Sequence, residues 1–122
     1  MSQTNELEIM ERIALDLERV EESLASSFNT GAEDFNALIR PLSAAGGKRL
    51  RAQLCLLIAN AGTSIERQRI KIAEAVEMLH LATLIHDDVL DQAEIRRGED
   101  TIHMHKGNKV AILSGDYLFA KA

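Results

Sequence analysis

The amino-acid sequence predicts an all-α fold, on two observations. Hydrophobic residues make up 46% of the 122 residues but aromatics only 3%, with no Trp and a single Pro; the apolar content rests on Leu, Ile, Ala, Val and Met, which suits helices better than sheet. Apolar residues also recur every three or four positions near the start, at Ile9, Ile13, Leu17, Val20 and Leu24, the stripe of an amphipathic helix. The length is that of one domain, too short for two.

The first helix is expected to begin at Thr4 or Asn5 as N-cap. Its other faces carry Glu6, Glu8, Glu11, Asp16, Glu18, Glu21 and Glu22, a charge run read as solvated. Asn29-Thr30-Gly31 breaks the pattern, and a short helix through Phe35, Leu38 and Ile39 is expected to end before Pro41. The glycine pair Gly46-Gly47 leads into a strongly apolar helix, Leu54 to Ala59, stopped by Asn60-Ala61-Gly62. A helix from Ser64 to Ile72 runs towards an acidic one over residues 73 to 95. A polar turn at Arg97-Gly98-Glu99-Asp100 follows, His103 and His105 fall in a loop, and Gly107-Asn108 precedes a last helix, Lys109 to Ala122. There is no internal repeat.

Fourteen Lys and Arg against nineteen Asp and Glu give a net charge of −5, which argues against a nucleic-acid binder or a protein held to anionic membranes. No apolar run approaches the 18 or so residues of a membrane span, and the N-terminus lacks a signal peptide's basic start. Cys55 is the single cysteine; it excludes an internal disulfide and reads as a small buried hydrophobe. A cytoplasmic location fits these features.

The segment Leu84-Ile85-His86-Asp87-Asp88-Val89-Leu90-Asp91, followed by Arg96-Arg97-Gly98, sets three carboxylates beside two guanidiniums. On one helix, Asp91 lies about 40° around the axis from Asp87 and about 6 Å along it, so the two share a face. Acids this close repel one another unless a cation lies between them, and Mg2+ suits a site that supplies one or two carboxylates and leaves the rest to water and phosphate oxygens. A bare Asp-Asp-x-x-Asp pattern is ordinarily only a solvated face, but here the acids follow the apolar run Met78 to Ile85. The second constellation is Gly46-Gly47-Lys48-Arg49-Leu50-Arg51. Glycines admit an anion close to the backbone, a helix start favours negative charge, and Lys48 and Arg51 add a point charge and a fork; alone, such a turn is ordinarily an unremarkable start to a helix. It is not a Walker loop, since the Gly-x4-Gly-Lys-Ser/Thr spacing is missing. His80 precedes Asp87 by seven residues, only about 20° around the helix. It reads either as a hydrogen-bonded core residue or as a group facing the same space.

Together these pieces resemble the all-trans polyprenyl diphosphate synthases. Gly46 to Arg51 matches their basic substrate motif, Asp87 to Asp91 their first aspartate-rich motif, and Arg96-Arg97-Gly98 the arginine pair after it. Gly107-Asn108-Lys109-Val110-Ala111-Ile112-Leu113-Ser114-Gly115-Asp116-Tyr117-Leu118 also looks like the family. The resemblance is nearly continuous over residues 40 to 122, whereas residues 1 to 30 fit as any amphipathic first helix would. It implies an antiparallel helical bundle of the isoprenoid synthase type, present as its N-terminal half. Lys48, Arg51, His80 and Arg97 would hold isopentenyl diphosphate. Asp87 and Asp91, and with less support Asp88, would ligate Mg2+ on an allylic diphosphate, and Arg96 would contact that same group. Ala82 and Thr83, five and four residues before Asp87, are small and imply a long product.

Enzymes of this kind are more than twice as long, and their second aspartate-rich motif lies in a C-terminal half that residues 1 to 122 lack. Ala52 also stands where the family usually has Pro, a minor change at a helix start. Exposed apolar helix faces are therefore expected. The chain would be a truncated fragment, one half of a two-chain enzyme, or a homo-oligomer with another role; the non-enzyme alternative is a catalytically silent helical subunit that binds diphosphate or a partner and regulates a full-length synthase. Glu77-x-x-His80 has the spacing of a di-iron ligand pair, but its only partial repeat is Asp100-x-x-His103. A terpene cyclase would share the aspartates but have no use for the basic motif.

Overall fold

The computed structural model describes residues 3–44, 47–96 and 98–122. The elements are α1 (Gln3–Ser27), α2 (Glu33–Ala44), α3 (Leu50–Ala61), α4 (Glu66–Leu90), strands β1 (Ile95–Arg96) and β2 (Glu99–Asp100), α5 (Ile102–Lys106) and α6 (Asn108–Lys121). No helix among the described residues is long and apolar enough to cross a membrane. The chain divides into two compact units, Met1–Ser26 with Lys48–Glu77, and Ser27–Gly47 with Met78–Ala122. Helix α4 therefore contributes its first half to one unit and its second half to the other.

In the first unit the α1 stripe behaves as its spacing requires: Val20 and Leu24 are buried, and Ile9, Ile13 and Leu17 are half-buried. Asp16 departs from the expected solvated face. It is 3% exposed, because Arg69 of α4 donates to it through Nε at 2.8 Å and Nη2 at 3.0 Å while the Asn60 side chain of α3 donates at 3.1 Å. One carboxylate thus ties three helices. Burial alone would raise its pKa, but the hydrogen bonds from Arg69 and Asn60 outweigh it and hold the carboxyl below its ordinary value. Helix α3 is longer than the apolar run suggested, Leu50–Ala61. Cys55 on it is half-buried rather than buried, and Leu54 and Ile58 are 58% and 66% exposed.

In the second unit α2 does not end before Pro41 but runs through it to Ala44. Proline deletes one i→i−4 bond, and the burial of Ile39 and Ser43 on either side carries the helix past that loss. The loop before α2 is knotted by Asn36, which is fully buried. Its amide donates to the Thr30 carbonyl at 2.8 Å and its Oδ1 accepts from the Thr30 backbone and hydroxyl. Phe35 meets Tyr117 of α6 edge-on at 4.7 Å between ring centroids. Helix α4 ends at Leu90 rather than near 95, since Gln92 takes a left-handed φ of 53°. Of the expected polar turn, Glu99 and Asp100 form β2 and pair with Arg96 and Ile95 of β1. His103 and His105 lie on the short α5 rather than in a loop.

The second half of α4 packs on α6 through His86 and Gly115. A Cβ at Gly115 would collide with the His86 imidazole, so only glycine admits the ring against this helix. His86 Nε2 then lies 3.0 Å from the Ile112 carbonyl and 3.3 Å from Asp116 Oδ1, and the ring leans on Phe119.

Two stability predictions follow from these contacts. Asp16→Ala strands the Arg69 charge and costs about 3 kcal/mol, read as a lower denaturation midpoint. Because the folded pKa of Asp16 is depressed, its contribution is present above the ordinary 3.8 and is lost as pH falls through the lower folded value; Asp16→Asn removes that component of acid destabilisation. Gly115→Ala costs about 2 kcal/mol by overpacking. In a His86→Ala background the same change is neutral or mildly stabilising, since alanine is the better helix former by up to about 1 kcal/mol; equal cost in both backgrounds would refute the seat.

Candidate functional site

The last turn of α4 carries the acidic motif. Asp87 and Asp91 are exposed, and the Asp91 amide donates to the Asp87 carbonyl at 2.8 Å. Although the regular helix stops at Leu90, this bond keeps Asp91 in helical register, one turn beyond Asp87 on the same face. Both carboxylates open to water.

Asp88 is different. It is 4% exposed, and Arg96 of β1 straddles it, Nε lying 2.8 Å from Oδ1 and 3.0 Å from Oδ2, with Nη2 2.7 Å from Oδ1. Hydrogen bonding to Asp88 raises the Arg96 pKa above its already high ordinary value, against the pull of burial. The chain between them is held as well. The Ala93 amide donates to the Asp88 carbonyl at 2.9 Å, the Thr101 hydroxyl donates to the Ala93 carbonyl at 2.9 Å, and the His103 ring contacts that same carbonyl. A motif of three acids thus resolves into two open carboxylates and one committed to arginine.

His80, seven residues before Asp87, is half-buried, and the Thr83 hydroxyl donates to its carbonyl at 2.6 Å. Ala82 is fully buried and Thr83 exposed. Arg97 and Gly46 lie outside the described residues.

In the first unit, Lys48 and Arg51 are both exposed, Lys48 in the turn before α3 and Arg51 in its first turn. Arg49 between them is 9% exposed. It donates to Glu21 at 2.6 Å through Nε, and its Nη1 lies 3.8 Å from Glu77 Oε2. Glu77 Oε1 also accepts the Ala52 backbone amide at 2.9 Å, so an acid from α4 caps α3. The sequence reading left that helix start open to an anion; its Ala52 amide is already taken by Glu77, while the Lys48 and Arg51 side chains stay open to solvent. The same contacts remove Glu77 from any di-iron set.

Lys48 and Arg51 belong to the first unit, and His80, Asp87, Asp91 and Arg96 to the second. Among the described residues no three His, Cys, Asp or Glu side chains converge on one point. The two open carboxylates suit Mg2+, which completes its octahedron with water and phosphate oxygens. Sequence reasoning missed the Glu77 cap, for which no local signal exists, and the His86 seat, for which Gly115 and Asp116 one turn apart from Ile112 were a faint one.

A polyprenyl synthetase family profile matches residues 32–122. Solanesyl diphosphate synthase 1 of Arabidopsis thaliana, a chloroplastic protein, is 36% identical over 93% of this chain and 30% of its own length. Heptaprenyl diphosphate synthase component 2 of Geobacillus stearothermophilus is 41% identical over 88% of this chain and 33% of its own length. The crystal structure of a polyprenyl synthase from Caulobacter crescentus, complexed with calcium and isoprenyl diphosphate, aligns with a TM-score of 0.85 at 36% identity, covering 93% of this chain and 34% of that one. The chain spans about a third of the length of the curated relatives it matches. The profile match across most of its residues and the structural likeness to a polyprenyl synthase show that the chain belongs to the polyprenyl synthetase family.

Proposed function

We propose that residues 1–122 supply the first aspartate-rich motif and the isopentenyl diphosphate cations of a trans-polyprenyl diphosphate synthase. The observation that carries this reading is the pair Asp87 and Asp91, open on one face of α4 while Asp88 is held by Arg96. Asp87 and Asp91 would hold Mg2+, which when bound supplies positive charge to the allylic diphosphate oxygens. Arg96, oriented by Asp88, keeps its remaining guanidinium donors for that group. Asp88 thus serves as the anchor of an arginine rather than as a metal ligand. Lys48 and Arg51, with His80 and Arg97, would hold the second diphosphate.

The reaction this supports breaks the allylic C1–O bond, with both electrons leaving on diphosphate. Carbon four of isopentenyl diphosphate then bonds to that allylic carbon, and a proton is lost from carbon two to the departing diphosphate, leaving a new double bond. The protein's part is charge stabilisation and exclusion of water; no side chain becomes a covalent nucleophile. Thr83, exposed one turn before Asp87, is small and favours a long product. The remaining two-thirds of a synthase would come from further polypeptide, and a relative named as one component of its enzyme supports a second chain as its source.

Asp87→Ala in the assembled enzyme is expected to lower condensation at least about a thousandfold with helix content and assembly unchanged; turnover near wild type would remove the metal role. Thr83→Phe should shorten the product, read by chromatography of the dephosphorylated prenols, and an unaltered product would refute the length reading. Ala82→Phe is the poorer test, because it overpacks a fully buried site at a cost of about 1–3 kcal/mol.

A further inference from the structure

Within the basic motif, Arg49 is buried where Lys48 and Arg51 are exposed, and it adopts a left-handed backbone, φ 54° and ψ 43°. An arginine gains nothing there from its own backbone, since its Cβ crowds the following carbonyl, so surrounding contacts must impose the conformation. They are on hand. Glu21 of α1 takes Nε at 2.6 Å and Nη2 at 3.4 Å. Glu77 of α4, itself buried, faces Nη1 at 3.8 Å and caps the Ala52 amide at 2.9 Å. Across the turn, the Gln53 side-chain amide donates to the Lys48 carbonyl and the Gln53 backbone amide to the Arg49 carbonyl at 2.9 Å. The residue thus pinned between two glutamates is the one about which the chain turns from Lys48 into Arg51.

We propose that Arg49 is a positioning residue whose clamp by Glu21 and Glu77 aims Lys48 and Arg51 at one diphosphate. The proposal rests on the reading of those two cations given above. Arg49 binds no substrate; it fixes the left-handed step that presents its neighbours on the same side.

The test uses the assembled enzyme. Arg49→Ala strands the buried Glu77, so the informative variant is Arg49→Ala with Glu77→Gln, where glutamine still accepts the Ala52 amide and no buried charge is orphaned, Glu21 being half exposed. This pair is expected to raise KM for isopentenyl diphosphate about tenfold, with kcat and the allylic KM unchanged; Arg49→Lys should recover part of the loss, keeping the charge but not the fork. Binding of inorganic pyrophosphate in magnesium-free buffer, measured by calorimetry, should weaken in parallel, as should that of a Lys48→Ala control. That binding needs no turnover. A wild type that condenses nothing would sink the prenyltransferase reading, while the pyrophosphate comparison would still decide for or against Arg49. Wild-type pyrophosphate affinity in the double variant would overturn the proposal. So would an equal fall in kcat and rise in both KM values with a lowered melting temperature, the mark of a purely structural role.

Discussion

The ion pair between Asp88 and Arg96 is the constraint on which the candidate site depends. Three acids in five residues repel one another, and burying the middle one under a guanidinium converts that repulsion into a division of labour. Asp88 is neutralised inside the second unit; Asp87 and Asp91 remain at the surface, one turn apart. The same pair folds the chain back after Gln92, so that β1 returns to the helix end it has just left.

A similar logic operates at the basic motif. Lys48 and Arg51 reach outwards because Arg49 is drawn inwards by Glu21 and Glu77. In both motifs a run of like charges is split by burying one member, Asp88 or Arg49, against an opposite charge, which leaves its neighbours open to solvent. Breaking either tie leaves an uncompensated charge in a low-dielectric setting, which costs more than the pair itself contributes. The chain shares its family with solanesyl, heptaprenyl and polyprenyl synthases, and on the proposed function both devices would hold diphosphates.

The helices were legible in the sequence wherever the apolar period was clean. The stripe from Ile9 to Leu24 foretold which face of α1 is buried, and the spacing of Asp87 and Asp91 foretold their shared face. What was illegible depends on partners distant along the chain. Asp16 reads as one more surface acid until Arg69, 53 residues away, is brought against it. Glu77 reads as half of a metal-ligand spacing until the Ala52 amide claims it. Pro41 reads as a stop, because proline's local cost is visible in sequence and the burial that overrides it is not. The end of α4 was misplaced because nothing in Gln92-Ala93-Glu94 announces the left-handed turn at Gln92.

The most direct test of the central claim is manganese binding to the assembled enzyme in the presence of a non-reactive allylic thiolodiphosphate, followed by electron paramagnetic resonance. If Asp87 and Asp91 are the open metal ligands and Asp88 the anchor of Arg96, Asp87→Asn and Asp91→Asn each weaken the bound-manganese signal, whereas Asp88→Asn leaves metal binding largely intact and weakens retention of the diphosphate. Loss of the manganese signal with Asp88→Asn, and its persistence with Asp87→Asn, would contradict the account.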